Sequence, residues 1–115
     1  MKRVLWFSRH TMTTEQYIAL ETKLDEPVDL VQVDKTIQSA YELQDEIEKA
    51  DVIAIVAPIN LQQQFLKLAN GKPVIIAQSK RIPRGDNENG EPQYEFVFEG
   101  WKQLVKIEVV MVDFC

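Results

Sequence analysis

Residues 52–57 read Val-Ile-Ala-Ile-Val-Ala, and residues 4–7 read Val-Leu-Trp-Phe. Continuous apolar segments of this length are typical of strands that are buried on both faces of a parallel sheet. Two further segments, residues 28–33 and 74–77, also read as strands. The segment 28–33 contains two polar residues, so we expect it at an edge of the sheet.

A helical pattern fills each gap between these four strands. Each pattern begins with a predicted capping box, in which the N-cap and N3 side chains satisfy each other's backbone N–H groups. The three boxes are Thr13 with Gln16, Ser39 with Glu42, and Asn60 with Gln63. Right-handed crossovers then predict a single α/β domain over residues 1–115. Its fold would be a Rossmann-like or flavodoxin-like three-layer unit with a parallel sheet of order about 2-1-3-4.

The alternation of strands and helices stops after Ala77. Residues 79–92 contain two glycines and two prolines, and they are predicted to form a long loop or the tip of a hairpin. In residues 94–99, three aromatic side chains alternate with Glu95, Val97 and Glu99. This period-2 pattern predicts a strand. Residues 105–114 form a second predicted β segment, with a turn at 100–103. The sequence therefore predicts a C-terminal β-hairpin in place of a fourth helix.

The composition and net charge argue against nucleic-acid-binding and membrane proteins. The net charge of -5 argues against binding to duplex nucleic acid. No apolar segment approaches the roughly 20 residues that cross a bilayer, and the N-terminus lacks the pattern of a signal peptide. The one cysteine, Cys115, is the last residue, which fits a reducing compartment. We expect a cytoplasmic bacterial or phage protein with no membrane partner.

Several kinds of chemistry lack the residues they need. His10 is the only histidine and there is no internal cysteine, which excludes Cys–His catalysis and multi-histidine metal sites. The sequence has neither a P-loop nor a G-x-G-x-x-G motif. We therefore expect no metal and no resident cofactor.

Ligands of open parallel sheets bind beyond the carboxyl ends of the strands, where the strand order reverses. The candidate ligand-binding residues at these ends are Ser8, Arg9, Thr11 and Thr13 after the first strand, Lys35 after the second, Asn60 after the third, and Ser79, Lys80, Arg81 and Arg84 after the fourth. His10 is the candidate catalytic residue. Five of the 13 Lys and Arg residues belong to this set, and the helix N-termini point to the same edge. The pattern predicts a phosphate-bearing ligand.

Two resemblances agree with an anion site. Residues 8–13, Ser-Arg-His-Thr-Met-Thr, resemble the R-H-G-x-T start of histidine phosphatases, with Thr11 in place of the glycine. That resemblance implies that His10 is a phosphorylated nucleophile and Arg9 a phosphate ligand.

The order of elements resembles CRISPR-associated Rossmann-fold sensor domains, which end in a β-hairpin and bind cyclic oligoadenylates across a homodimer. This resemblance implies ligand contacts from Ser8 and Arg9 in one region. Ser79, Lys80, Arg81 and Arg84 would supply the second region, with Gln78 where the family has Asp or Asn.

Three hypotheses follow from the sequence. The first is a dimeric binding protein for a phosphorylated nucleotide-type ligand, such as a nucleotide or a cyclic oligonucleotide. The second is a metal-independent phosphodiesterase or phosphatase, similar to a ring nuclease, that uses His10. The third is an interaction module that forms a homodimer through the apolar residues 105–114.

Overall fold

The computed structural model describes residues 1–114; Cys115, for which the sequence suggests no role, lies outside the described residues. The elements in chain order are β1 (Lys2–Phe7), α1 (Thr14–Leu24), β2 (Val28–Val33), a 3-10 turn (Ala40–Leu43) that continues into α2 (Gln44–Lys49), β3 (Val52–Ile55), α3 (Ile59–Ala69), β4 (Val74–Asp86) and β5 (Pro92–Leu104). Within the described chain, no helix combines the length and the hydrophobicity that a membrane crossing requires.

The five strands form one sheet of order β2-β1-β3-β4-β5. The first four pair in parallel, in the predicted order, whereas β5 pairs antiparallel with β4. The α/β class is thus confirmed, and the expectation of a purely parallel 2-1-3-4 sheet is corrected to a mixed sheet of five strands.

The central strand β1 divides the core into two clusters. Leu5 and Phe7 point to one face, where they pack with residues of α2 and α3. Val4 and Trp6 point to the other face and pack with α1. Successive side chains of a strand point to opposite faces, so an apolar run of four residues supplies both cores. This double burial explains why the segment lacks any period-2 pattern.

Two of the three predicted capping boxes are confirmed. Thr13 and Gln16 cap α1, and Ser39 and Glu42 cap the 3-10 turn. The third prediction was wrong, because α3 begins at Ile59 after Pro58 and no side chain caps it. With Pro58 instead of Asn60 as the N-cap residue, the helix starts two residues earlier than the pattern suggested.

The C-terminal hairpin differs most from expectation. Residues 79–86, predicted as a loop or hairpin tip, continue β4, and only residues 87–91 form the turn. Residues 100–103, predicted as the turn, lie inside β5. Gly100 has φ of 133°, a conformation that favours glycine, and sits at a β-bulge where Gln78 pairs with Gly100 and Ser79 with Phe98. We call the projecting part of this hairpin, residues 79–98, the arm.

The last ten described residues also differ from the prediction. Residues 105–114, expected as a strand, have no regular secondary structure, and most of their apolar side chains are exposed. The radius of gyration is 16.9 Å, whereas a compact chain of this length has a value of about 13 Å. The arm and residues 105–114, which we call the tail, account for this extended shape.

Trp101 joins the hairpin to the rest of the domain. Its indole N–H donates to the carbonyl of Gln16 in α1 over 3.0 Å. Its ring meets Trp6 edge-to-face with 5.9 Å between centroids, a geometry that contributes about 0.5–1.5 kcal/mol beyond area burial. Both tryptophans therefore pack within the domain.

Phe65 tests the larger of the two cores. This side chain of α3 is 0% exposed and lies 5.3 Å from Phe7, centroid to centroid. We expect Phe65→Ala to lower the free energy of unfolding by about 3–5 kcal/mol, because it leaves a cavity in a packed core. Urea denaturation measures this loss. Ile59→Ala, at an exposed position of the same helix, is the control; equal losses from both variants would contradict the core we describe.

Glu42 makes stability depend on pH. Its carboxylate accepts from the backbone N–H groups of Gln38 (2.8 Å) and Ser39 (3.1 Å). These bonds hold the pKa of Glu42 below its ordinary value of 4.5, with a smaller contribution from the charge of Lys35. A carboxyl with a depressed pKa in the folded state stabilises the fold above its unfolded-state pKa, and this contribution disappears as pH falls through the folded-state value.

We therefore expect Glu42→Gln to flatten the fall in stability on acidification below about pH 4.5, since the amide does not titrate. Urea denaturation of both proteins at a series of acidic pH values tests this. Glu48→Gln, which removes an exposed charge from α2, controls for net charge. If the free energy of unfolding falls equally with pH for wild type and Glu42→Gln, protonation of Glu42 is not linked to folding and the prediction is wrong.

Candidate functional site

The loop that follows β1 is held rigidly by its own hydrogen bonds. Ser8 is only 4% exposed, its N–H donates to the carbonyl of Val33 (3.2 Å), and its Oγ accepts from the N–H of His10 (3.0 Å). The indole N–H of Trp6 donates to the carbonyl of His10 (2.9 Å). The amide of Gln32 donates to the carbonyls of both Ser8 (2.9 Å) and His10 (3.1 Å). The loop thus has a fixed shape at the carboxyl edge.

A pocket of about 240 Å³ opens beside this loop. Three segments meet around it, namely the end of β1 with the loop after it, the end of β2 with the loop after it, and the start of α3. Its lining residues are Phe7, Ser8, Arg9, Val33, Lys35, Thr36, Ile37, Pro58 and Leu61. We call it the carboxyl-edge pocket. Its lining is mostly apolar and includes two cationic residues, Arg9 and Lys35, and two hydroxyl residues, Ser8 and Thr36.

The electrostatics of the carboxyl-edge pocket favour an anion. Arg9 and Lys35 both line it, and both are exposed and able to reorient. The first turn of α3 also faces it through Pro58 and Leu61, and no side chain caps this helix. Uncapped helix N-termini present free N–H groups and a partial positive charge. By contrast, the N-termini of α1 and of the 3-10 turn are closed by their capping boxes.

The structure divides the predicted site residues between separate places. Ser8, Arg9 and Lys35 meet at the carboxyl-edge pocket. Thr13 and Ser79 line a different pocket of about 280 Å³ between the start of α1 and the arm, together with two glutamates. Those glutamates, Glu15 and Glu95, make this second pocket unsuited to an anion.

The remaining cations of the predicted set lie on the arm. The Arg84 guanidinium pairs with the carboxylate of Glu95, and the Arg81 guanidinium lies 4.3 Å from the centroid of the Tyr94 ring. Lys80 occupies the same exposed strand. Arg81 and Arg84 thus make cross-strand contacts within the hairpin, and none of the three residues lines the carboxyl-edge pocket.

Three further predicted residues take no part in lining the carboxyl-edge pocket. His10 and Thr11 are exposed, and within residues 1–114 no side chain or backbone group is bonded to the His10 imidazole. Asn60 is exposed in the first turn of α3, where it was predicted as the cap. Thr13, by its capping bonds, is committed to α1.

Gln32 is a residue whose role the sequence did not reveal. Its place in a predicted edge strand gave a reason for a polar side chain, but not for its bonds to the loop after β1. The feature of the sequence that could have indicated this role is a polar residue in β2 at the position that pairs with the buried Trp6. Across residues 1–114 no cluster of His, Cys, Asp and Glu side chains is arranged to hold a metal ion.

Comparison of the chain with protein-family models, with curated proteins and with solved structures gives no match.

Proposed function

We propose that the carboxyl-edge pocket binds a phosphate-bearing small molecule of the nucleotide class, as in a Rossmann-like binding protein. One observation carries this proposal: Arg9, Lys35 and the uncapped start of α3 converge on a single pocket, although the protein as a whole is acidic. A local concentration of positive charge on an anionic protein attracts anions to one place.

The shape of the pocket supports this ligand class. A volume of about 240 Å³ is below the range of about 300–1,000 Å³ that holds whole drug-sized ligands. It therefore suits one phosphate group with part of a sugar, while the rest of the ligand lies over the open rim. The Ser8 hydroxyl accepts from the His10 N–H and keeps its own hydrogen to donate to an incoming oxygen.

Binding without catalysis is the form of the proposal that the geometry favours. A histidine nucleophile or base needs a partner that orients its ring, and within residues 1–114 His10 has none. Phosphodiester or phosphomonoester cleavage by His10 stays a prediction, and so does the similarity to CRISPR-associated cyclic-oligoadenylate sensors.

Titration with inorganic pyrophosphate and with ATP, followed by calorimetry, tests the proposal. We expect Arg9→Gln and Lys35→Gln each to weaken binding about tenfold or more, since a hydrogen bond to a charged group contributes about 1.5–3 kcal/mol. The matched controls are Lys80→Gln and Arg81→Gln, which remove equal charges from the arm. A ligand at 100 times its dissociation constant also raises the free energy of unfolding by about 2.7 kcal/mol.

Two results would overturn the proposal. One is the absence of binding by either probe, and the other is an equal loss of affinity from the arm variants. The same samples test His10: we expect His10→Ala to bind as wild type does. Phosphoester turnover that His10→Ala abolishes would replace the binding proposal with the enzyme hypothesis.

A further inference from the structure

The hairpin ends in a long outer sheet edge, and the tail that follows exposes most of its apolar side chains. β5 is the last strand of the sheet, so among residues 1–114 no strand pairs with its outer side. The tail that follows is strongly exposed, as at Val109 (75%), Val112 (88%) and neighbouring residues. Proteins normally protect long strand edges, and large exposed apolar patches mark interaction surfaces.

The chain itself cannot supply a strand for the tail. Leu104 at the end of β5 pairs with Val74 at the start of β4, and Pro73 precedes β4. Since β4 begins at Val74, a tail that continued β5 beyond Leu104 would have no residue of β4 beside it. Any pairing along the tail in line with β5 must come from another molecule.

The tail sequence fits a second copy of itself. In an antiparallel pair, two residues that lie opposite each other point to the same face of the sheet. When a two-fold axis relates the two strands, odd-numbered residues therefore lie opposite odd-numbered ones and even-numbered residues opposite even-numbered ones. Lys106 and Glu108 satisfy this condition: they form an ion pair of 3.4 Å within the chain and are 74% and 61% exposed. An axis through Ile107 places Lys106 of each copy opposite Glu108 of the other.

The same register also pairs the apolar residues near the axis, whereas Met111 and Val112 lie opposite Gln103 and Lys102. It places Ile107 opposite its own equivalent, Val105 opposite Val109, and Leu104 opposite Val110. Phe114 then lies opposite Gly100, so an aromatic ring covers the one position of this stretch without a side chain. The paired region ends at Gly100, where the bulge begins, so it uses only the regular part of β5.

We propose that two copies of this chain associate through antiparallel pairing of residues 100–114 about a two-fold axis at Ile107. The tail of each copy adds as a strand to the outer edge of β5 of the other copy. The two sheets become continuous, and the arms point in opposite directions. This interface is independent of the carboxyl-edge pocket.

Light scattering coupled to size-exclusion chromatography tests the proposal with a charge exchange. The wild-type protein is expected at twice the chain mass of 13.3 kDa. Lys106→Glu and Glu108→Lys each place like charges opposite one another, so each single variant shifts toward the monomer. The double variant restores opposite charges and is expected to restore the dimer. A wild-type monomer, or a double variant no more dimeric than the singles, contradicts the register.

Crosslinking tests the axis separately, in a Cys115→Ser background. Ile107→Cys is expected to form an intermolecular disulfide, because opposed residues have Cα atoms about 4.5–5.5 Å apart, within disulfide range. Val112→Cys is the matched control, since the two copies of residue 112 would lie about 34 Å apart at 3.4 Å per residue. Equal crosslinking of both variants, or none at position 107, overturns the proposal. So does a dimer that forms equally well after both single charge changes.

Discussion

The burial of β1 on both faces, with a parallel strand on each side, determines where the other elements of the domain lie. Val4–Phe7 is fully enclosed, and each residue pairs with β2 and β3 in register. This pairing fixes where β1 stops, and therefore where Ser8 and Arg9 emerge. The bonds from Trp6 and Gln32 then hold the emerging loop against the sheet edge.

The sequence alone could predict the elements that local chemistry determines. Strands that are buried on both faces can be recognised as continuous apolar segments. Capping boxes can be recognised because they depend on two side chains three residues apart. The helices α1 and α3 end at Asp25 and Asn70, whose positive φ values are typical of helix C-caps. The arm could not be predicted in this way. Its first half, residues 79–86, is mostly exposed and carries no period-2 pattern. Pro83 is tolerated there because that part of β4 has only one neighbouring strand.

The candidate site was predictable in part for the same reason. The rule that ligands bind beyond the carboxyl ends of parallel strands placed Ser8, Arg9 and Lys35 together, and these residues do share a pocket. The rule failed for Ser79 to Arg84, because β4 does not end at the sheet edge but continues into an antiparallel hairpin. A position after a strand becomes a site residue only when the strand stops there.

The proposed site of anion binding is the carboxyl-edge pocket and not the arm. Amide chemical shifts of ¹⁵N-labelled protein during titration with pyrophosphate distinguish these two locations. We predict that shifts of residues 8–9, 35–37 and 59–61 change together along one binding curve, while those of residues 80–84 stay constant. Changes confined to the arm, or no saturable change anywhere, would contradict the account.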